Sequence, residues 1–188
     1  MERFKRLTSE NWDDFEILFE KHKGVRGGCW CSFYLATAGQ YAQLDREARK
    51  KFHRSALEKS GSTGGLYYID DVAVAWCQFG PRNVLMRYLR NRMMAELDVS
   101  DEQLWRISCI FVDKHHRKSG YARKVVEASI EEMIRAGATV IESFPFDFEN
   151  RPSSFQHNGS IAFYEDLGFQ VIGRIGKNEV MMRKSIAV

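Results

Sequence analysis

Between an apolar run and a helical pattern the chain carries Asp113-Lys114-His115-His116-Arg117-Lys118-Ser119-Gly120, a short basic loop ending on glycine. The apolar run includes Ile110, Phe111 and Val112, and the helical pattern opens on Tyr121, Ala122 and Arg123. A strand, a glycine-containing loop and a helix N-terminus in that order make an anion site. Unpaired backbone N–H groups point outward together, with the positive end of the helix dipole behind them. A pyrophosphate suits such a cradle. His115 and His116 flank the same loop, where phosphate contact is a simpler role than catalysis.

A second stretch, His157-Asn158-Gly159-Ser160-Ile161-Ala162-Phe163-Tyr164-Glu165-Asp166-Leu167-Gly168-Phe169, begins forty residues after Arg117. Ser160 or Asn158 is placed to cap a helix. Ile161, Tyr164 and Leu167 have helical spacing, and Gly168 suits the left-handed position after its end. Arg117-Lys118-Ser119-Gly120-Tyr121-Ala122 resembles the Q/R-x-x-G-x-G/A motif of the GNAT acyltransferases, and the second stretch resembles that family's tyrosine-bearing helix closed by Gly-Phe. Two motifs in the family's order are far more specific than either alone. Counting back from Tyr164, the family's asparagine falls on His157, with Asn158 one place later.

The resemblance implies an α/β (α+β) fold, a mixed, twisted sheet of about six to seven strands with helices on both faces. It implies acetyl-CoA as acyl donor. The pyrophosphate would lie on Arg117, Lys118, Ser119, Gly120, Tyr121, Ala122 and Arg123, and the pantetheine arm along Ile110, Phe111 and Val112. Asn158 is either a further coenzyme contact or a helix cap. Tyr164 matches the family tyrosine that protonates the departing thiolate. The implied reaction is direct attack of a primary amine on the thioester through a tetrahedral intermediate, with a backbone N–H for the oxyanion.

Many relatives carry a glutamate on the strand entering the pyrophosphate loop, near Arg106 here. Leu104-Trp105-Arg106-Ile107-Ser108 holds no carboxylate. The amine must still lose a proton. Glu142 on the following strand, or a chain of waters, is the candidate.

Gly27-Gly28-Cys29-Trp30-Cys31-Ser32-Phe33-Tyr34 falls after the first predicted helix, where the family builds its acceptor side. Cys29, Trp30 and Cys31 are candidates for an acceptor pocket, for a covalent acyl-cysteine, or simply for core packing. Two further zinc ligands at a plausible spacing are not evident, so no metal is expected.

The elements that must position these residues read as follows. Residues 4–7 suggest a strand. Trp12, Phe15, Leu18 and Phe19 share one face of a helix behind the capping residues Thr8 and Ser9. Residues 23–37 read as a loop and 45–60 as a helix. Residues 66–69 and 72–79 form a hairpin about Asp70-Asp71. Residues 81–101 resist assignment beyond a short helix within 87–97. Strands over 104–112 and 139–144 flank a helix over 121–135, so a crossover would make them parallel. A final strand pair follows at 169–175 and 179–186.

Length and composition agree. A chain of 188 residues suits one domain spanning 1–188. A 44% hydrophobic and 28% charged composition is that of a globular protein, and a net charge of +3 gives no case for nucleic acid. No run approaches the roughly eighteen apolar residues of a membrane span, and the N-terminus has no signal-peptide core. Four sparse cysteines point to a reducing compartment, the cytoplasm. A small-molecule amine is the expected acceptor. A protein or peptide acetyltransferase and a non-catalytic acyl-CoA-binding module are the alternatives. The family also makes a homodimer an expectation.

Overall fold

The computed structural model describes residues 1–87, 92–97, 103–147 and 157–187. Seven strands form one sheet in the order β1-β2-β3-β4-β5-β7-β6. They are β1 (Glu2–Arg6), β2 (Gly65–Ile69), β3 (Val72–Pro81), β4 (Leu104–Val112), β5 (Val140–Ser143), β6 (Gln170–Arg174) and β7 (Val180–Ser185). The helices are α1 (Trp12–Glu20), α2 (Ala38–Gln43), α3 (Arg46–Ser60), α4 (Arg92–Leu97), α5 (Tyr121–Arg135) and α6 (Ile161–Glu165). This is the α/β arrangement expected. No helix among the described residues is long and apolar enough to cross a membrane.

Local chemistry explains most boundaries. Asp45 accepts from Ala48 N–H at 2.8 Å to start α3, and left-handed Gly61 ends it. Asp70 and Asp71 both take positive φ in the β2–β3 turn, the conformation that matches strand twist in a two-residue hairpin. α2 was not anticipated, and α4 occupies only the second half of the window expected for it. Residues 88–91 and 98–102 lie outside the described residues.

Each face of the sheet carries its own apolar cluster. Trp12, Phe15, Leu18 and Phe19 of α1 join Trp30, Tyr34, Trp76, Phe111, Phe144 and Met181 on one face. Val125, Val126, Ile130 and Met133 of α5 join Ile107, Ile110, Ile141, Tyr164 and Val180 on the other. The central strands read as continuous apolar runs because both of their faces are covered.

The feature that makes a site is a fork. β4 and β5 are parallel, and they pair only from Leu104↔Val140 to Ile107↔Ser143. On its other edge β4 continues against β3 to Val112, but the register there skips: Gln78 faces Cys109 and Phe79 faces Ile107. Ser108 is thus an extra residue, a bulge in β4. Bulge and fork coincide. Beyond them, residues 108–112 show one edge with no strand partner among the described residues.

Candidate active site

The fork opens into a cleft of about 620 Å³, lined by Lys21, His22, Lys23, Val25, Arg26, Cys109, Ile110, Phe111, Val112, Arg117, Ala122 and His157. Of the residues expected to hold acetyl-CoA, Ile110, Phe111, Val112, Arg117 and Ala122 line this space. Lys118, Ser119 and Gly120 are exposed in the loop at its rim.

That loop is a helix N-terminus held open by two left-handed residues, Lys118 (φ 63°) and Gly120 (φ 81°). The N–H groups of Arg123 and Lys124 return to the Gly120 carbonyl at 3.0 and 3.1 Å. The amides from Lys118 to Ala122 make no backbone bond among the described residues, which is the donor set an anion needs. Tyr121 turns instead toward the ring of Tyr67, and Arg123 pairs with Glu127 at 2.8 Å.

Asp113 shapes the loop. It accepts from His115 N–H at 3.0 Å and lies 3.5 Å from His22 Nε2. Burial alone would raise its pKa, but the His115 amide and the charges of His22 and Lys21 outweigh that and hold the carboxyl below its usual range. Burial pushes the His22 imidazole down, partly offset by the Asp113 charge. A cleft wall holding Lys21, Lys23, Arg26 and Arg117 is strongly cationic, which suits a polyphosphate guest.

Lys23, Val25 and Arg26, which the sequence places in a loop, form this second wall together with Lys21 and His22. The signal for it lies in the basic run Lys21-His22-Lys23-Gly24-Val25-Arg26. His157 was the other omission. It lines the cleft, meets Arg26 Nη1 through Nδ1, and lies 3.3 Å from the Tyr34 hydroxyl through Nε2. Asn158, by contrast, turns inward and is 2% exposed. Its Nδ2 donates to Phe144 O at 2.9 Å and to Tyr34 Oη at 3.0 Å, fastening the approach to α6 onto the end of β5. Ser160, not Asn158, caps α6. The position counted back from Tyr164 therefore reaches the cleft, and its neighbour serves as a strut.

Tyr164 is 1% exposed, packed in the cluster that contains Ile110 and stacked edge-on against Phe163 and Phe169. Gly159 is required beside it: a Cβ there would come within 2.6 Å of the Tyr164 ring.

Two expectations need correction. Glu142 is fully buried, with Arg106 Nε at 3.0 Å on Oε2 and Arg183 Nη2 at 2.7 Å on Oε1. Both carboxylate oxygens are occupied by guanidinium donors, so its work is that of a counterion inside the sheet, not of a proton acceptor facing the cleft. The Cys29-Trp30-Cys31 pocket is not a pocket. Trp30 is 1% exposed and stacked on Phe19, and Cys31 is 3% exposed with its sulfur 3.5 Å from that of Cys109. Burial raises the thiol pKa of both Cys29 and Cys31, which removes thiolate character. Apolar rings in this glycine-rich segment belong to the core because α1 presents Phe15 and Phe19 to receive them. Of the four cysteines, Cys109 is the one that lines the cleft.

Comparison with known proteins agrees with the fork and its loop. The sequence model of the Acetyltransferase (GNAT) family matches residues 30–169. No curated protein matches in sequence. Among solved structures, the PaiA N-acetyltransferase of Thermoplasma acidophilum in complex with coenzyme A superposes with TM-score 0.59 at 12% identity, covering 99% of each chain. The ribosomal-protein-alanine N-acetyltransferase of Brucella melitensis gives 0.58 at 14% identity, over 98% of this chain and 99% of that one. yncA of Salmonella typhimurium, solved with acetyl-CoA, gives 0.56 at 16% identity, over 99% of this chain and 94% of its own. A strand forked at a bulge, an open basic helix N-terminus and a family match across most of the chain lead to one conclusion: this protein belongs to the GNAT acetyltransferase family.

Proposed function

We propose that the protein transfers the acetyl group of acetyl-CoA to the primary amine of a compact small-molecule acceptor. The observation that carries the reading is the closure across the inner cleft. Arg26 from the loop after α1 meets His157 ahead of α6, and Tyr34 bridges His157 and Asn158. This contact narrows the passage beside the fork, which favours a small acceptor over an extended chain.

In this reading the donor's phosphates lie at the Gly120 loop and its arm along the free edge of β4. Preorganised backbone donors on that edge are the natural partners for an oxyanion. Tyr164, reached from the same cluster as Ile110, protonates the departing thiolate. A thiol resembling cysteine, with pKa of about 8.5, makes only a modest demand on that acid.

Calorimetric titration with acetyl-CoA, run beside a free-thiol assay on small amines and on peptides with free N-termini, tests the reading. Thiol release with small amines and not with peptides is the expected result. Release with peptides alone transfers the protein to the peptide-modifying class. Tight binding without release from either panel leaves a coenzyme-binding module.

A further inference from the structure

The correction of Glu142 leaves the acceptor's proton without a destination, and the far wall of the fork supplies one. β5 leaves β4 after Ile107↔Ser143 but stays on β7. Val180 N donates to Pro145 O at 3.0 Å, Phe146 bridges Glu179, and Asp147 N donates to Asn178 O at 2.7 Å. The fork thus has two walls diverging from one pair, residues 108–112 of β4 on one side and the β5 extension with the start of β7 on the other. Ile110 on the first wall and the Phe146–Glu179 bridge on the second both lie three residues beyond the fork, roughly 10 Å at the strand rise.

Strand alternation sets where Glu179 points. Val180 packs in the cluster with α5, and Met181 in the cluster with Tyr34 and Phe144. Two residues from Met181, Glu179 shares the face of Tyr34. Arg87 is on that face too: its N–H donates to Tyr34 O at 3.2 Å, and its guanidinium lies over the Phe33 ring at 3.9 Å. The Glu179 backbone is fixed by Ile175 N–H at 3.0 Å.

We propose that Glu179 receives the acceptor's ammonium at the wall opposite Ile110 and takes its proton; the assignment rests on the acyl-transfer reading above. The ammonium gives one proton to the carboxylate. The freed nitrogen lone pair forms the C–N bond to the thioester carbon, the C–S bond breaks, and the sulfur leaves with its electron pair. Tyr164 gives its proton to that sulfur, the second nitrogen proton restores the Tyr164 hydroxyl by way of solvent as the amide forms, and protonated Glu179 returns its own to solvent.

The electrostatics agree with that duty. Burial raises the Glu179 pKa to about 7, against the opposing charge of Arg87, and a base poised near neutrality is the effective one. Of the other charges nearby, Arg174 and Asp147 pair with each other beside the β6–β7 turn. His157 and Tyr34 face each other toward the fork.

The test compares the pH dependence of turnover in the wild type and in Glu179→Gln, using a small primary amine found in the thiol-release panel. Wild-type kcat/KM is expected to rise with a midpoint near 7. The variant should lose that limb and about 100-fold in kcat at neutral pH, recovering as the amine itself deprotonates, with acetyl-CoA affinity unaltered. A variant with the same midpoint and kcat within about twofold overturns the assignment. If no amine is turned over although acetyl-CoA binds, the acyl-transfer reading has failed, and carbon-13 NMR of the carboxyl groups still decides for Glu179. A signal absent from the variant and titrating near 7 keeps the poised carboxylate. One titrating in the ordinary carboxylate range overturns it.

Discussion

Arg106 and Glu142 sit opposite each other in the β4–β5 register and join across it, Nε to Oε2 at 3.0 Å, one residue before the last pair of the two strands. Arg183, the Glu142 partner on β7, holds the other oxygen at 2.7 Å. One buried carboxylate therefore ties three adjacent strands at the root of the fork. Glu142→Gln should cost on the order of 3 kcal/mol or more in denaturant unfolding, because two guanidiniums then face a neutral amide where water is excluded. A variant of wild-type stability that has lost only turnover would return Glu142 to the role of base.

Tyr164→Phe removes one hydroxyl and leaves the packing against Phe163 and Phe169 in place. We expect kcat to fall about 10- to 100-fold with the acetyl-CoA dissociation constant unchanged, the signature of a proton donor used after binding. Equal turnover in the two proteins would mean that the thiolate leaves unassisted and that Tyr164 is a core residue.

Gly120→Ala isolates backbone conformation at the phosphate loop. Nothing lies within 4 Å of an added Cβ, so sterics play no part, but φ is 81°. The left-handed conformation should cost about 1 kcal/mol and, if the loop relaxes away from it, weaken acetyl-CoA binding roughly tenfold. Paired melting and calorimetric titrations measure the two effects separately. Full affinity with unchanged stability would show that the amides of this loop are not the anion site.

His53 gives the fold an acid limit. It is fully buried, 2.6 Å from Trp30 O through Nδ1 and 2.7 Å from Thr63 Oγ1 through Nε2, so the neutral ring bridges α3 to two loops. Burial lowers its pKa to about 4, from 6.5. The unfolded chain therefore binds the extra proton between those values. Stability is complete above about 6.5 and falls as pH drops toward 4, by at most about 3 kcal/mol. Denaturation midpoints of the wild type and His53→Gln, followed from pH 7 to pH 4, should converge as pH falls. Parallel curves would remove His53 as the cause.

Much of this protein is written locally. The Asp45 cap, the Asp70-Asp71 turn, the spacing of Trp12, Phe15, Leu18 and Phe19, and the order strand, Gly120 loop, helix are nearest-neighbour properties. Propensity and capping act within a turn or two, so sequence alone marked most of the elements, a candidate anion loop and the family, while α2, which buries no residue, left no apolar pattern to read. His157 and Asn158 show the limit. Both are polar and adjacent, and only the contacts at Tyr34 and Phe144 decide that one faces the cleft and the other braces it.

The roles that needed tertiary structure all turn on residues distant in the chain. Glu142 alternates correctly for a cleft residue, yet Arg183, 41 residues on in the chain, takes it as a counterion. Cys29-Trp30-Cys31 has pocket chemistry, but α1 and Trp76 surround Trp30 and Cys31 with the core. Glu179 carries no motif at all. Its placement comes from β5 staying with β7 after leaving β4, a consequence of sheet order and of one extra residue at Ser108. Sequence sets which groups are available. Burial and charge in the folded sheet decide which of them can hold a proton, because desolvation and ion pairing depend on neighbours that only tertiary contacts bring together.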